Sequence, residues 1–127
     1  MRVELTRKYR FAAAHHLPRA PEGHKCRRLH GHSYEIEVAV SGAVDPVRGW
    51  LIDYGEVDRI VEPVVRELDH RTLNDVPGLE NATSEMLCGW LWERLDGMLS
   101  GLRRVSVAET CSAACHYYGD DAPDAEA

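Results

Sequence analysis

Two alternating stretches decide the fold: residues 2–15 read RVELTRKYRFAAAH, and residues 30–41 read HGHSYEIEVAVS. In the first stretch Val3, Leu5, Tyr9, Phe11 and Ala13 fall on odd positions, and the even positions from 2 to 10 are polar. In the second, the even positions carry two histidines and then a series of apolar residues. A period of two is typical of a strand with one buried face. We therefore predict a β-strand for each stretch.

The middle of the chain carries helical patterns instead. Asp53-x-x-Glu56 resembles a capping box, and apolar residues follow it at helical spacing. Pro63 lies inside this pattern and is expected to kink or loosen the helix. Thr83 or Ser84 can cap a second helix. The predicted apolar stripe of that second helix comprises Met86, Leu87, Trp90, Leu91, Leu95 and Met98.

The last part of the chain returns to an extended pattern. Residues 102–109 and 112–118 are predicted as two strands, so the element order is ββααββ. This order predicts an α+β fold, a four-stranded antiparallel sheet with both helices on one face. The open edges of such a sheet favour pairing between subunits. We predict one domain, residues 1–118, and an acidic tail, 119–127, that is disordered because it has no apolar anchor.

The composition is that of a globular domain. The chain has 127 residues, of which 44% are hydrophobic and 28% charged. Its net charge of -6 argues against a nucleic-acid partner. We see no signal-peptide core and no apolar run long enough to cross a bilayer, and expect a cytoplasmic protein without a membrane partner. In a reducing compartment the four cysteines are expected to be free thiols, ligands or nucleophiles.

Histidines gather where the two predicted N-terminal strands would meet. His30 and His32 are two residues apart, so they share one face of a strand. His15 ends the apolar face of the first strand, and a hairpin across the 17–29 loop would bring it opposite the other two. Three neutral imidazoles with one open position describe a catalytic zinc site. The alternative is that these histidines are core residues that bind nothing, while His16, of opposite parity, faces away.

Cys26 is the candidate nucleophile or base. It lies four residues before His30 and beside Lys25, Arg27 and Arg28. Neighbouring positive charge favours the thiolate over the thiol, and a thiolate can act as a base or nucleophile near neutral pH. The alternatives are an inert loop thiol, or a fourth zinc ligand that would close the site and make it structural.

Two further acidic positions are candidates. Glu109 ends a face that begins with Val105 and Val107, so its carboxylate needs a partner. That partner is either a heterocycle with paired N–H donors or a nearby arginine. Asp69 and His70 could form an acid/base unit. Because adjacent side chains often point apart, the sequence alone favours a helix C-terminus at which the histidine meets the helix dipole.

Several motifs together resemble one known family. They are FAAAH at 11–15, EGHKC at 22–26, LHGHSY at 29–34, GWLID at 49–53, LDHRTLN at 68–74, PGLEN at 77–81 and ETC at 109–111. They resemble the 6-pyruvoyl-tetrahydropterin synthase superfamily over nearly the whole chain. The four-residue step from Cys26 to His30 is similar to that of its 6-carboxytetrahydropterin synthases, since the pyruvoyl enzymes have a longer gap. One departure is Ala82-Thr83, where the family usually has Pro-Thr.

The resemblance implies an activity and an assembly. The implied reaction converts 7,8-dihydroneopterin triphosphate to 6-carboxytetrahydropterin, acetaldehyde and triphosphate, in queuosine and 7-deazaguanine biosynthesis. The implied fold is the tunnelling fold, in which the sheets of several subunits join into a barrel. The implied assembly is a homo-oligomer, commonly a hexamer built as a dimer of trimers, with active sites between subunits.

The resemblance also implies roles for individual residues. The implied ligands of Zn2+ are His15, His30 and His32. Cys26 would be the proton acceptor, with His70 and Glu109 completing the relay and Asp69 orienting His70. The implied substrate-binding residues are Glu109 and Thr83 for the pterin and, by position, Lys25, Arg27 and Arg28 for the triphosphate. The alternatives are a 6-pyruvoyl-tetrahydropterin synthase, a non-catalytic zinc-binding module and a zinc hydrolase.

Overall fold

A computed structural model describes residues 1–119. Its helices and strands are, in chain order, β1 (Arg2–His15), β2 (His30–Ala43), α1 (Tyr54–Arg66), α2 (Ser84–Leu95), β3 (Leu102–Thr110) and β4 (Ala113–Tyr117). The predicted ββααββ order and α+β class are confirmed. Of the predicted acidic tail, residues 120–127 lie outside the described part. In residues 1–119, neither helix has the length and apolar character needed to cross a membrane.

The four strands form one antiparallel sheet in the order β1-β2-β3-β4. β1 and β2 pair over fourteen positions, from Arg2 opposite Ala43 to His15 opposite His30. The core-facing side of this hairpin alternates as its sequence predicts. Its buried side chains include Phe11, Ala13, His15, Tyr34, Ile36 and Val38. The hairpin therefore ends with histidines at the margin of the core.

Helix α1 covers part of this face with valines at helical spacing. Val57, Val61 and Val64 are buried, and the helix continues through the exposed Pro63 to Arg66. Asp53 occupies the N-cap position, but its side chain makes no capping hydrogen bond, so the predicted capping box does not form. The valine stripe, rather than the cap, holds this helix against the sheet.

Helix α2 is capped as predicted. The Thr83 hydroxyl accepts the backbone N–H of Met86 at 3.1 Å. The buried positions of α2 are Leu87, Cys88, Leu91 and Leu95. The predicted apolar stripe was wrong at its two methionines, because Met86 and Met98 are exposed. The space against β3 and β4 is occupied instead by Cys88, whose single S–H group lies within hydrogen-bonding distance of the carbonyl oxygens of Val105 and Cys115.

Candidate metal centre and active site

Three histidines converge at the end of the β1–β2 hairpin. His15 pairs with His30 across the two strands, and His32 lies two residues further along the same face of β2. The Nε2 atoms of His15 and His30 are 3.0 Å apart. One ring nitrogen from each of the three histidines lies within 4.8 Å of the other two. The structure thus brings together the three histidines that the strand parity selects.

Backbone carbonyl groups fix the tautomers of two of these rings. His15 Nδ1 lies 2.7 Å from the carbonyl oxygen of Ala82, and His30 Nδ1 lies 2.7 Å from that of Arg28. A carbonyl oxygen only accepts, so each Nδ1 carries the hydrogen and each Nε2 presents a lone pair. Two lone pairs 3.0 Å apart repel each other unless a proton or a cation lies between them. Burial also lowers the pKa of His15, which favours the neutral form that binds metals.

The donor set fits a zinc ion. Three imidazoles around a tetrahedral zinc, each with a Zn–N bond near 2.0–2.1 Å, place their nitrogens about 3.3 Å apart. The three ring nitrogens lie within 4.8 Å of one another, which is close to that spacing. Imidazole ligands suit zinc and disfavour magnesium or calcium. Two Nδ1–H groups held by carbonyl oxygens are the outer hydrogen bonds typical of metal-binding histidines.

Glu109 lies beside the histidines, near the end of β3. Its Oε2 atom is 3.7 Å from His32 Nε2, and its Oε1 atom accepts the hydroxyl of Ser84 at 2.7 Å. The side chain is about one quarter exposed, at 25%. Among residues 1–119, its hydrogen-bonding and ionic partners are therefore a serine and a histidine rather than the arginine that the sequence left open. Glu109 and Ser84 line a cavity of about 390 Å³.

The segment that leads into α2 contacts both the histidine cluster and Glu109. Ala82 is 1% exposed, and its carbonyl group holds His15. Thr83 caps the helix, and Ser84 holds Glu109. Ala82 stands where the family usually has proline. The substitution keeps the hydrogen bond to His15, because alanine and proline both carry a backbone carbonyl oxygen. The sequence indicated Ser84 only as a possible helix cap. No local sequence pattern predicts its contact with Glu109, which lies 25 positions away.

Cys26 lies in a short 3-10 turn, Lys25–Arg27, in the loop that joins β1 to β2. Its carbonyl oxygen accepts the N–H of Leu17 at 2.7 Å, only two residues beyond His15. Its own N–H donates to His24 Nδ1 at 3.0 Å. The loop is therefore closed next to the histidine centre, and its half-buried thiol is not among the three groups that converge there. The cationic side chains around it, Lys25, Arg27 and Arg28, are exposed.

Asp69 and His70 form a pair at the outer edge of β1. His70 Nδ1 lies 2.9 Å from Asp69 Oδ1, which also accepts the N–H of Ala12 at 3.0 Å. That backbone hydrogen bond and the His70 contact lower the pKa of Asp69. This contact shows that the expectation of side chains pointing apart was wrong. His70 adopts a left-handed backbone (φ 58°), and its N–H donates to the Ala12 carbonyl group at 2.6 Å.

The His70 imidazole is open to solvent within one chain. Its side chain is 81% exposed, and within residues 1–119 no hydrogen bond connects it to the three clustered histidines. It shares with His32 the lining of an open cavity of about 570 Å³, to which small residues such as Ala12 and Gly31 also contribute. The structure thus brings Glu109 directly to the histidine centre and leaves the Asp69–His70 pair at the rim.

The fold and the histidine centre define a small α+β protein with a candidate metal site. The family described as 6-pyruvoyl tetrahydropterin synthase matches residues 4–120. The chain is 39% identical over 120 residues to a 6-carboxy-5,6,7,8-tetrahydropterin synthase of Synechocystis sp., spanning 90% of this chain and 92% of that protein. It is 34% identical over 112 residues to a dihydroneopterin monophosphate aldolase of Pyrococcus furiosus, spanning 86% and 91%.

A solved structure agrees with these sequence matches. The Caenorhabditis elegans 6-pyruvoyl tetrahydropterin synthase superposes with a TM-score of 0.86 at 29% identity, covering 94% of this chain and 96% of that one. The chain therefore belongs to the 6-pyruvoyl tetrahydropterin synthase family. The family resemblance carried by the sequence motifs is confirmed.

Proposed function

We propose that the protein is a zinc-dependent 6-carboxytetrahydropterin synthase. It would convert 7,8-dihydroneopterin triphosphate and water to 6-carboxytetrahydropterin, acetaldehyde and triphosphate, in the cytoplasm and as part of queuosine or 7-deazaguanine biosynthesis. One observation carries the proposal: three histidines present converging nitrogens beside Glu109, while the nearby thiol of Cys26 stays outside the ligand cluster. A metal site of that kind keeps a coordination position for substrate.

The subfamily assignment is supported by two independent features. The Synechocystis relative is named as a 6-carboxy-5,6,7,8-tetrahydropterin synthase, and an Archaeoglobus fulgidus protein, 40% identical over 100 residues, is named as a putative one. The interval of four residues between Cys26 and His30 resembles that of the carboxy enzymes. Both features favour the carboxy product over the pyruvoyl product.

The proposed chemistry divides among named residues. Zinc bound by the three histidines would act as a Lewis acid on a side-chain oxygen of the substrate. Cys26 would accept a proton from the adjacent carbon. The carboxylate of Glu109 would accept the paired N–H donors of the pterin ring, with Thr83 nearby. The exposed cations Lys25, Arg27 and Arg28 would bind the triphosphate.

The proposed role of Asp69 and His70 depends on the assembly of subunits. Asp69 holds and orients the His70 imidazole, which would shuttle a proton in the relay. In a single chain this imidazole is solvent-exposed, which favours an active site completed between subunits. The outer strands β1 and β4 supply sheet edges for such an assembly. We propose a hexamer, a dimer of trimers whose sheets join into a barrel.

Product analysis tests this proposal. Zinc-loaded protein is incubated with 7,8-dihydroneopterin triphosphate, and the pterin, the aldehyde and the phosphate products are identified. Acetaldehyde with a carboxylated pterin supports the proposal, and chelator-treated protein is the control. A pyruvoyl pterin without acetaldehyde would instead identify a 6-pyruvoyl-tetrahydropterin synthase. No turnover with full zinc occupancy would indicate a non-catalytic zinc module.

A second candidate follows from the Pyrococcus relative, which is named as an aldolase for dihydroneopterin monophosphate. The same protein is therefore incubated with 7,8-dihydroneopterin monophosphate. Cleavage of that substrate with no carboxylated pterin from the triphosphate would favour the aldolase over the synthase.

A further inference from the structure

A hydroxyl group fixes the carboxylate that faces the histidine centre. Ser84 Oγ donates to Glu109 Oε1 at 2.7 Å, and both side chains are partly buried. The other oxygen of Glu109, Oε2, is directed toward His32 Nε2 at 3.7 Å. Each carboxylate oxygen therefore has its own neighbour, and the plane of the carboxylate is set by the two together.

The hydroxyl itself is held by rigid structure. Ser84 is the first residue of α2, directly after Thr83, whose side chain caps the helix through the Met86 N–H. Directly before them, the buried Ala82 is bound to His15 through its carbonyl group. Ser84 is therefore anchored on both sides, so it presents its hydroxyl from a fixed position rather than from a mobile loop.

The hydrogen bond leaves the carboxylate able to bind a ligand. An ionised carboxylate has about four lone-pair directions on its two oxygens. Ser84 occupies one of them, and the cavity that Ser84 and Glu109 line gives access to the group. A planar ring with two parallel N–H donors needs the carboxylate to lie in the plane of the ring, because bidentate recognition depends on orientation. A carboxylate that rotated freely would lose free energy each time it became ordered on binding.

We propose that Ser84 is a positioning residue that acts through Glu109. Its hydroxyl holds the carboxylate in the orientation that accepts the 2-amino and N3–H donors of a pterin, and it does not contact the reacting atoms. The inference rests on the proposed function, since it assigns the orientation of the proposed ring anchor. Without the hydroxyl, the carboxylate would have to be ordered by the ligand itself, and we expect this ordering to weaken binding about tenfold.

The test measures binding of pterin itself, a fluorescent ring that carries the paired donors and no triphosphate, to the zinc-loaded protein. We expect Ser84→Ala to raise the dissociation constant about tenfold, while Ser84→Thr, which keeps the hydroxyl, stays within about twofold of the native protein. Ser100→Ala, an exposed serine in the turn before β3, is the matched control. Zinc content and melting temperature are measured on every variant; in Ser84→Ala the zinc content is expected to stay at the native value, and a modest fall in melting temperature from the lost hydrogen bond leaves the protein folded at the assay temperature.

The decisive experiment combines Ser84→Ala with Glu109→Ala in one protein. If Ser84 acts through the carboxylate, Ser84→Ala adds less than about twofold once Glu109→Ala is present. Native pterin affinity in Ser84→Ala, failure of Ser84→Thr to restore binding, or a full tenfold effect in the Glu109→Ala background would each overturn the inference. If the native protein does not bind pterin at all, the proposed function fails instead. The two failures are therefore distinguishable.

Discussion

The stabilising effect of zinc gives the most direct test of the metal centre, and His30→Ala is the perturbation. His30 is only half-buried, so its removal disturbs the core less than removal of the buried His15. Zinc at a free concentration one hundred times its Kd stabilises the native state by about 2.7 kcal/mol. For 127 residues, the unfolding entropy is about 0.27 kcal/mol/K. Zinc should therefore raise the native Tm by about 10 °C.

The loss of one ligand should remove most of this shift. Substitution of a residue that only hydrogen-bonds to a metal ligand weakens metal binding by about 10–100-fold. Loss of a ligand itself should therefore weaken zinc binding at least ~100-fold. At the same zinc concentration the linkage free energy falls to about 0.4 kcal/mol, or about 1.5 °C. The assay is thermal unfolding with and without zinc, with metal analysis after dialysis. His16→Ala is the matched control, because His16 contacts Asn74 through its backbone.

Two outcomes would refute the reasoning. A His30→Ala protein that retained one zinc per chain and the full 10 °C shift would show that the three histidines are not the site. A His16→Ala protein that lost zinc would show that the parity argument selected the wrong imidazole. Because the readout is the zinc-dependent difference in Tm, a general loss of stability in either variant does not mimic the expected result.

Three further substitutions test neighbouring features. Cys26→Ala should keep full zinc and lose at least ~100-fold in turnover, as expected for removal of a proton acceptor; the exposed Cys111→Ala is the control, and zinc loss would make Cys26 a ligand instead. Asp58 has a pKa held below its usual value by hydrogen bonds, chiefly from Arg7, so its contribution to stability is present at neutral pH and is lost on acidification. The difference in Tm between native protein and Asp58→Asn should therefore be constant near pH 7 and shrink below about pH 4, and a difference that grew on acidification would contradict this. The buried Tyr34 hydroxyl has no hydrogen-bond partner within residues 1–119, so Tyr34→Phe should raise the free energy of unfolding by about 1 kcal/mol in chemical denaturation; a comparable loss would reveal a partner for that hydroxyl.

The strands and the histidine cluster could be predicted because both follow from a period of two. Once β1 and β2 are strands joined as a hairpin, the parity of His15, His30 and His32 places all three on the core face. The structure adds the register, which puts His15 opposite His30. The alternation alone did not fix that register, because the intervening loop could have closed at several positions.

The features that escaped prediction depend on contacts between distant segments. The carbonyl group of Ala82 reaches His15, and the hydroxyl of Ser84 reaches Glu109, only after α2 has packed against the sheet. The Asp69–His70 contact depends on the left-handed backbone at His70, which is uncommon for a residue other than glycine and leaves no periodic trace in the sequence. Met86 was misplaced because helical spacing tolerates several stripe directions, and Cys88 occupied the buried one.

The fourteen-position ladder between β1 and β2 also constrains how this protein can vary. A residue inserted within either strand would slide the pairing by one step and rotate the imidazoles beyond the insertion to the opposite face of the sheet. The same insertion between residues 18 and 25 would only lengthen a surface loop, at a small cost in closure entropy. Relatives can therefore change the spacing between His15 and Cys26 and keep the metal centre, whereas strand length should be almost invariant among those that retain it.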